Sequence, residues 1–239
     1  MTSLNNVSIT QNIWQQLLWK CRVFSATFST IVIVQVIFTV LSGSTGNRGS
    51  GGGSLEYNEH FYSLDILLII SIISAIMLGW LLATQSIRND NYSVVTTNFT
   101  ETVSTLLFLV VLSAFTVLSA LSSFYIIIFS RLLIFDQVKV NMGSLFELSS
   151  LFLFFLLVLL AGSASFFAKT LFDFSKIITL LLIIALISYM QLKDTLNWAL
   201  FEFFFIPSIG GVPGGVIYMI LPLWVLTIGI RQRREVIRR

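Results

Sequence analysis

Long apolar runs alternate with short polar ones along this chain, and six of the runs read as candidate membrane crossings. They cover about Phe24–Leu41, Asp65–Thr84, Asn98 to Ser123 or on to Phe129, Leu148–Phe167, Ile177–Leu192 and Val216–Ile230. A crossing helix needs about 20 predominantly apolar residues, which most of these runs supply. The third is long enough to tilt, and the fifth is short for a full crossing. Pro222 and Trp224 lie within the sixth, where the proline can kink the helix.

A different pattern precedes the first run. Trp14, Leu17, Leu18 and Cys21 fall at i, i+3, i+4 and i+7, one face of a helix, while Gln15, Gln16 and Lys20 fall mostly elsewhere. This suits a helix lying in the headgroup plane, with Trp14 and Trp19 as anchors. The plainer reading is the start of the first crossing. Ser42–Asn58 reads as a floppy, exposed loop, and its run Ser50-Gly51-Gly52-Gly53-Ser54 has no lysine to bind phosphate.

Gln85–Glu101 is the longest polar stretch inside the hydrophobic body. Asn98 with Glu101 three residues on predicts a capped helix start there, and Ser144 with Glu147 predicts another. Ser130–Gly143 reads as an exposed loop, and Lys169, Asp173 and Lys176 as a short turn. In Lys193–Gly215, aromatic residues mix with Asp194, Asn197 and Glu202. Then Pro207, Gly210, Gly211, Pro213, Gly214 and Gly215 break any helix. That predicts an interfacial or re-entrant segment before the last crossing.

Composition settles the solvent. Hydrophobic residues make up 56% of the 239, charged residues 10%, and the mean hydropathy is +0.92. A soluble domain carries about 25% charged residues. The expected fold is therefore an all-α membrane protein of six helices, a single membrane domain and no extramembrane one. Residues 1–23 form its N-terminal cytoplasmic or interfacial segment, 24–230 its membrane body and 231–239 a basic cytoplasmic tail. The first apolar run reads as a retained span, not a cleaved signal. With both ends inside, ten of the fourteen Lys and Arg residues lie on the cytoplasmic side, as the positive-inside rule favours. The expected location is the plasma membrane, as a multi-pass protein. The net charge of +3 belongs to residues at membrane ends, where anionic lipid explains it without nucleic acid.

Candidate chemistry is sparse. The sole cysteine, Cys21, excludes an intrachain disulfide. The one histidine, His60, falls in a predicted loop without partners, so no metal site is expected. The chain has no HExxH, GxSxG or GxxxxGK[ST] motif, so no hydrolytic activity and no resident cofactor are expected. The centres of the crossings are nearly free of charge, which disfavours ion-coupled transport. Gln35, the main polar side chain deep in a crossing, reads as a helix–helix contact.

The layout resembles the permease subunits of ABC-2-type exporters, particularly the small ones of Gram-positive bacteria. It shares an amphipathic entry helix, six crossings with both ends inside, the polar loop Arg88-Asn89-Asp90-Asn91-Tyr92-Ser93 and onward, and an aromatic, Gly/Pro-broken exterior segment. The resemblance covers nearly the whole chain. It implies that Trp14, Leu17, Leu18 and Cys21 belong to a connecting helix at the cytoplasmic face. It implies that Arg88, Asp90, Tyr92, Asn98 and Glu101 belong to a coupling loop that docks on an ATPase; a plain capped connection is the alternative. Trp198, Phe201, Glu202, Phe205 and Pro207 would gate the exterior, or form an interfacial belt. The implied partners are cytoplasmic ABC ATPase subunits carrying ATP and magnesium, a second permease chain, identical or different, and membrane lipid. The implied cargo is hydrophobic or amphipathic: a peptide, lipid or drug, often an antimicrobial peptide. The competing reading is a non-transporting immunity or sensor protein that binds a peptide or partner in the bilayer.

Overall fold

A computed structural model describes residues 8–42, 46–51, 56–61, 65–84, 97–134, 148–177, 179–181, 184, 207–208 and 212–238. The helices are α1 (Ile9–Val23), α2 (Ser25–Ser42), α3 (Asp65–Leu82), α4 (Asn98–Ile134), α5 (Leu148–Phe174) and α6 (Gly214–Arg238). Among the described residues, three helices are long and apolar enough to cross a membrane, or four if the bent α1–α2 pair counts as one. They lie in α4, α5 and α6, and the apolar stretch of α3, Ile66–Leu82, is shorter. A helical protein of the membrane is thus what these elements form. The fifth predicted crossing lies mostly outside the described residues.

The helix starts follow their caps. Ser8 opens α1 with a reciprocal capping box: the Gln11 N–H donates to Ser8 Oγ (3.3 Å) and the Ser8 N–H to Gln11 Oε1 (3.2 Å). At α4 the cap is one residue earlier than expected. The Thr100 N–H donates to Thr97 Oγ1 at 3.3 Å, so Thr97 takes the capping position and Asn98 is the first helical residue. Ser144 and Glu147 lie outside the described residues.

Several helices outrun the expected limits. α4 continues to Ile134 and has 37 residues, a length of about 55 Å against a hydrocarbon core of about 30 Å. Ser130 and Arg131 therefore extend a helix instead of opening a loop. α5 runs on to Phe174 because Lys169 and Asp173 pair across one turn at 2.7 Å. The Lys169 ammonium also sits 5.4 Å from the centre of the Trp80 ring and 5.3 Å from that of Phe172, so both polar residues end a helix, not a turn. The basic residues after Ile230 continue α6 to Arg238.

The supposed loop after α2 contains a ribbon. Strands β1 (Gly46–Gly51) and β2 (Glu56–Phe61) pair antiparallel, with Gly46 opposite Phe61 and Gly51 opposite Glu56. His60 accordingly lies in a strand, opposite Asn47. A second, shorter ribbon joins β3 (Pro207–Ser208) to β4 (Val212–Pro213) just before α6. These ribbons are short appendages to a helical body, which is the all-α architecture expected.

The body is built around α4. Of the windows that could cross a membrane, 61% of that in α4 is buried, 44% of that in α5 and 22% of that in α6. Leu106, Phe108, Leu109 and Leu112 of α4 share one apolar cluster with Leu156, Leu159 and Phe166 of α5 and Val216 and Ile220 of α6. Val117, Ala120 and Phe124 share a second with Leu67 and Ala75 of α3 and Phe154 and Val158 of α5. α4 also carries most of the buried hydroxyls. Thr102, Thr105, Thr116 and Ser123 each donate to the carbonyl four residues back, which satisfies the hydroxyl within its own helix. Between helices, Gln35 Nε2 of α2 donates to Ser71 Oγ of α3 (3.0 Å) and to the Thr116 carbonyl of α4 (3.1 Å), and Ser119 Oγ donates to Gln35 Oε1. Gln35 is thus the helix–helix contact its solitary position suggested, fully satisfied where lipid offers no partner.

α3 and α5 meet through glycine. A Cβ added at Gly79 would stand 2.3 Å from the Gly162 carbonyl oxygen, whereas one added at Gly162 would meet nothing nearer than 3.5 Å. The two substitutions should therefore differ. Gly79→Ala should cost about 1–3 kcal/mol of overpacking, and Gly162→Ala should stay within about 0.5 kcal/mol. Thermal unfolding of both variants in the same detergent checks this; equal shifts would show that the helices are not in this register.

Candidate functional site: a buried polar junction

α1 meets α2 at a bend of 52°, with Phe24 between them donating its N–H to the Lys20 carbonyl at 2.9 Å. The face that α1 turns inward is its polar one. Gln16, Leu17 and Lys20 are buried, whereas Trp14 is 59% exposed, Leu18 is also exposed and Cys21 is half-buried. Of the predicted face, Leu17 is buried in the core and Cys21 packs against it, while Trp14 and Leu18 point outward. The reason is the solvent: in lipid the apolar side chains can face outward, and the polar ones need protein partners.

Those partners are the first turns of α4. Lys20 Nζ donates to the Glu101 carbonyl (3.1 Å), to Ser104 Oγ (2.8 Å) and to Thr105 Oγ1. Gln16 Nε2 donates to Thr100 Oγ1 at 3.3 Å, and Ser104 Oγ donates to Gln16 Oε1 at 3.1 Å. The Glu101 carboxylate lies 3.8 Å from Arg231 Nη1 of α6. The Arg231 guanidinium in turn sits 4.6 Å from the centre of the Phe166 ring of α5. One cluster therefore ties α1, α4, α5 and α6 together, with Lys20 only 2% exposed and Glu101 and Arg231 each 4%.

The electrostatics of this junction are unusual for lysine. Burial lowers the Lys20 pKa from 10.5 to about 7; the Glu101 carboxylate pulls it back up and Arg231 pushes it further down. Cys21 is driven the other way, its thiol pushed up by burial, so it is not an activated nucleophile. Among the described residues no group of three or more His, Cys, Asp and Glu could hold a metal ion. What the junction can do is hold helices and exchange a proton.

The other expected site residues divide into two groups. Asn98 and Glu101, given to the coupling segment by the resemblance and to a helix start by their spacing, begin α4, and Glu101 is buried. Pro207 lies in β3, opposite Pro213. Arg88, Asp90, Tyr92, Trp198, Phe201, Glu202 and Phe205 lie outside the described residues. Lys20, Gln16, Ser104, Thr105 and Arg231 were not singled out by spacing. The available signal was a lysine and a glutamine four residues apart, on the helix face opposite the apolar one.

The lowered Lys20 pKa sets a pH dependence. The unfolded chain holds more protons than the folded one between about pH 7 and pH 10.5, so stability rises with pH across that window, by up to about 1.4 kcal/mol per pH unit. Below pH 7 both states are protonated and this contribution is flat. Unfolding temperatures from pH 6 to 10 should show the rise in the native chain and not in Lys20→Met. The same slope in both would remove Lys20 as its source.

Compared with known protein families, with curated proteins and with solved structures, the chain matches none.

Proposed function

We propose that this chain is the permease subunit of an ATP-binding cassette exporter. In this reading it crosses the plasma membrane six times with both ends in the cytoplasm. It moves a hydrophobic or amphipathic cargo (peptide, lipid or drug) and is powered by separate ATPase subunits that bind ATP and magnesium. A second permease chain completes the pathway.

The observation that carries the reading is the junction itself. The first helix, set at 52° to the second, is bonded to the first turns of α4, which follow the polar segment 85–96 in the sequence. Force applied to that segment by an ATPase would reach α1, α4 and α6 together, through Lys20, Glu101 and Arg231. Exporters of this kind need such a connection, because their chemistry happens outside the membrane and their work inside it.

Helix direction supports six crossings. Ser163 and Phe166 of α5 contact Trp224 and Arg231 of α6 in the same chain order, so the two helices run parallel. Parallel neighbours require the chain to travel back along the bundle between them, and residues 177–192 are the apolar run available for it. α3 also runs parallel to α5: Leu67 clusters with Phe154, and Trp80 meets Phe172. α2 and α4 run the opposite way. That alternation brings the ends of α1, α3, α5 and α6 and the starts of α2 and α4 to one side, with Lys20, Arg22, Lys169 and Arg231, the side that the positive-inside rule makes cytoplasmic.

Expression together with neighbouring reading frames, followed by purification in mild detergent, tests the reading. A stoichiometric ATPase with nucleotide hydrolysis is the expected result. The double substitution Tyr92→Ala with Asp90→Ala should then lose the ATPase, or its stimulation by cargo, without losing the fold. A chain that purifies alone, with no ATPase among its neighbours, would instead favour an immunity or sensor protein.

A further inference from the structure

A groove of about 580 Å³ opens between α2 and α3. Buried Ile31 and Ile70 lie at its floor, and exposed Phe38, Ile69 and Met77 at its rims. No residue that lines it is charged, so an ionised group could enter it only at a large desolvation cost. The two helices run antiparallel about the hydrogen bond from Gln35 to Ser71. Thr27 and Leu78 therefore mark one end of the groove, and Phe38 and Ile66 the other.

The two ends differ in chemistry. All three hydroxyls of the lining, those of Thr27, Thr30 and Ser74, lie in the half nearer the start of α2. The Thr30 hydroxyl donates to the Ala26 carbonyl at 2.9 Å, within its own helix. Those of Thr27 and Ser74 have no hydrogen-bond partner among the described residues. The far half is purely apolar. α2 has 18 residues, a length of about 27 Å, so its start lies near the edge of a hydrocarbon core about 30 Å thick. From Thr27 to Phe38 the groove then runs about 16 Å, the depth of one leaflet.

Size and charge choose the occupant. A helix of that length is about 10 Å across and would fill roughly twice the volume. A lipid tail is narrower, and it carries its polar group at one end, as the groove does. Just outside the polar end, Arg22 is exposed at the elbow between α1 and α2. A guanidinium there suits a phosphate at the headgroup level.

We infer that the α2–α3 groove seats one acyl chain of a phospholipid from the leaflet where α2 begins, with an ester oxygen at the Thr27 hydroxyl and the phosphate within reach of Arg22. A tail gains little by leaving bulk lipid, which is equally apolar. What holds this one is its fit along the groove and the polar contacts at one end. The site needs neither ATPase nor cargo, so it stands apart from the exporter reading, in which the leaflet is the cytoplasmic one.

Native mass spectrometry of the full chain, purified in mild detergent and washed by repeated detergent exchange, counts the phospholipid that stays bound. The native chain should keep one. Ile73→Trp, which fills the groove from its exposed side, should keep about tenfold less. Ile33→Trp, similarly exposed on α2 but outside the groove, should keep as much as the native chain. Arg22→Gln should lose lipid, and unchanged retention there would overturn the phosphate contact. A native chain without phospholipid would overturn the site, as would equal retention in Ile73→Trp. A native dimer that Ile73→Trp dissociates would give the groove to a second copy instead. If Ile73→Trp fails to fold, the native chain decides alone in nanodiscs of phosphatidylcholine with a diazirine in its tail. Crosslinks should then concentrate at Ile70 and Ile73 over the exposed Val225 of α6, and even labelling would overturn the site.

Discussion

A buried lysine that touches only neutral oxygens is the constraint around which this protein is arranged. An ammonium taken out of water needs every hydrogen matched. The oxygens come from the Glu101 carbonyl, Ser104 and Thr105 of α4. That single requirement fixes the register of α1 on α4. It also fixes which end of α4 the first helix reaches, and so the 52° bend that follows. The carboxylate of the same Glu101 then faces Arg231, which draws the last helix to the same point. Four helices meet where one side chain would otherwise be unsatisfied.

The rest of α4 obeys the same rule with weaker groups. A lipid-embedded helix gains little from burying leucine against leucine, because the tails outside are equally apolar. Specificity must come from polar contacts and close fit. The contacts of Gln35 with Ser71, the Thr116 carbonyl and Ser119 bind α2, α3 and α4 near mid-membrane. The Trp224 indole donating to Ser163 Oγ at 2.9 Å and the Ser165 hydroxyl donating to the Ile76 carbonyl at 2.6 Å do the same for α5 with α6 and α3. The close approach at Gly79 supplies the fit. These contacts select one packing among many that would bury similar apolar area.

The sequence made the helices legible and left their faces obscure. Apolar run length depends on bilayer thickness, so α2, α3 and the start of α4 fall within a residue or two of where the pattern puts them. Helix ends were missed where polar residues stay helical for reasons of pairing: Lys169 with Asp173, and the basic run after Ile230. The ribbon after α2 was missed because glycine-rich composition describes a flexible chain equally well before strand partners are known. The docked face of α1 is where the pattern fell silent: its apolar residues, read as the side that meets the membrane, left the polar ones unassigned. In water an apolar face docks; in lipid the rule reverses, and Gln16 and Lys20, which a soluble protein would expose, mark the contact instead.

That reversal changes how a charged residue near a membrane span should be weighed. Lys20 and Arg22 are two residues apart, and counting both as positive-inside signals treats them alike. Arg22 is exposed and can meet anionic headgroups, whereas Lys20 is sealed among helices. Only the first can act as a topological anchor once the protein is folded. The second serves that purpose during insertion, if at all, and afterwards is a structural group with a displaced proton affinity. A lysine removed from water cannot keep its ordinary proton affinity, and this one spends its hydrogens on α4, through the Glu101 carbonyl, Ser104 and Thr105. A charge that reads in the sequence as a topological signal is, in the fold, a contact between two helices.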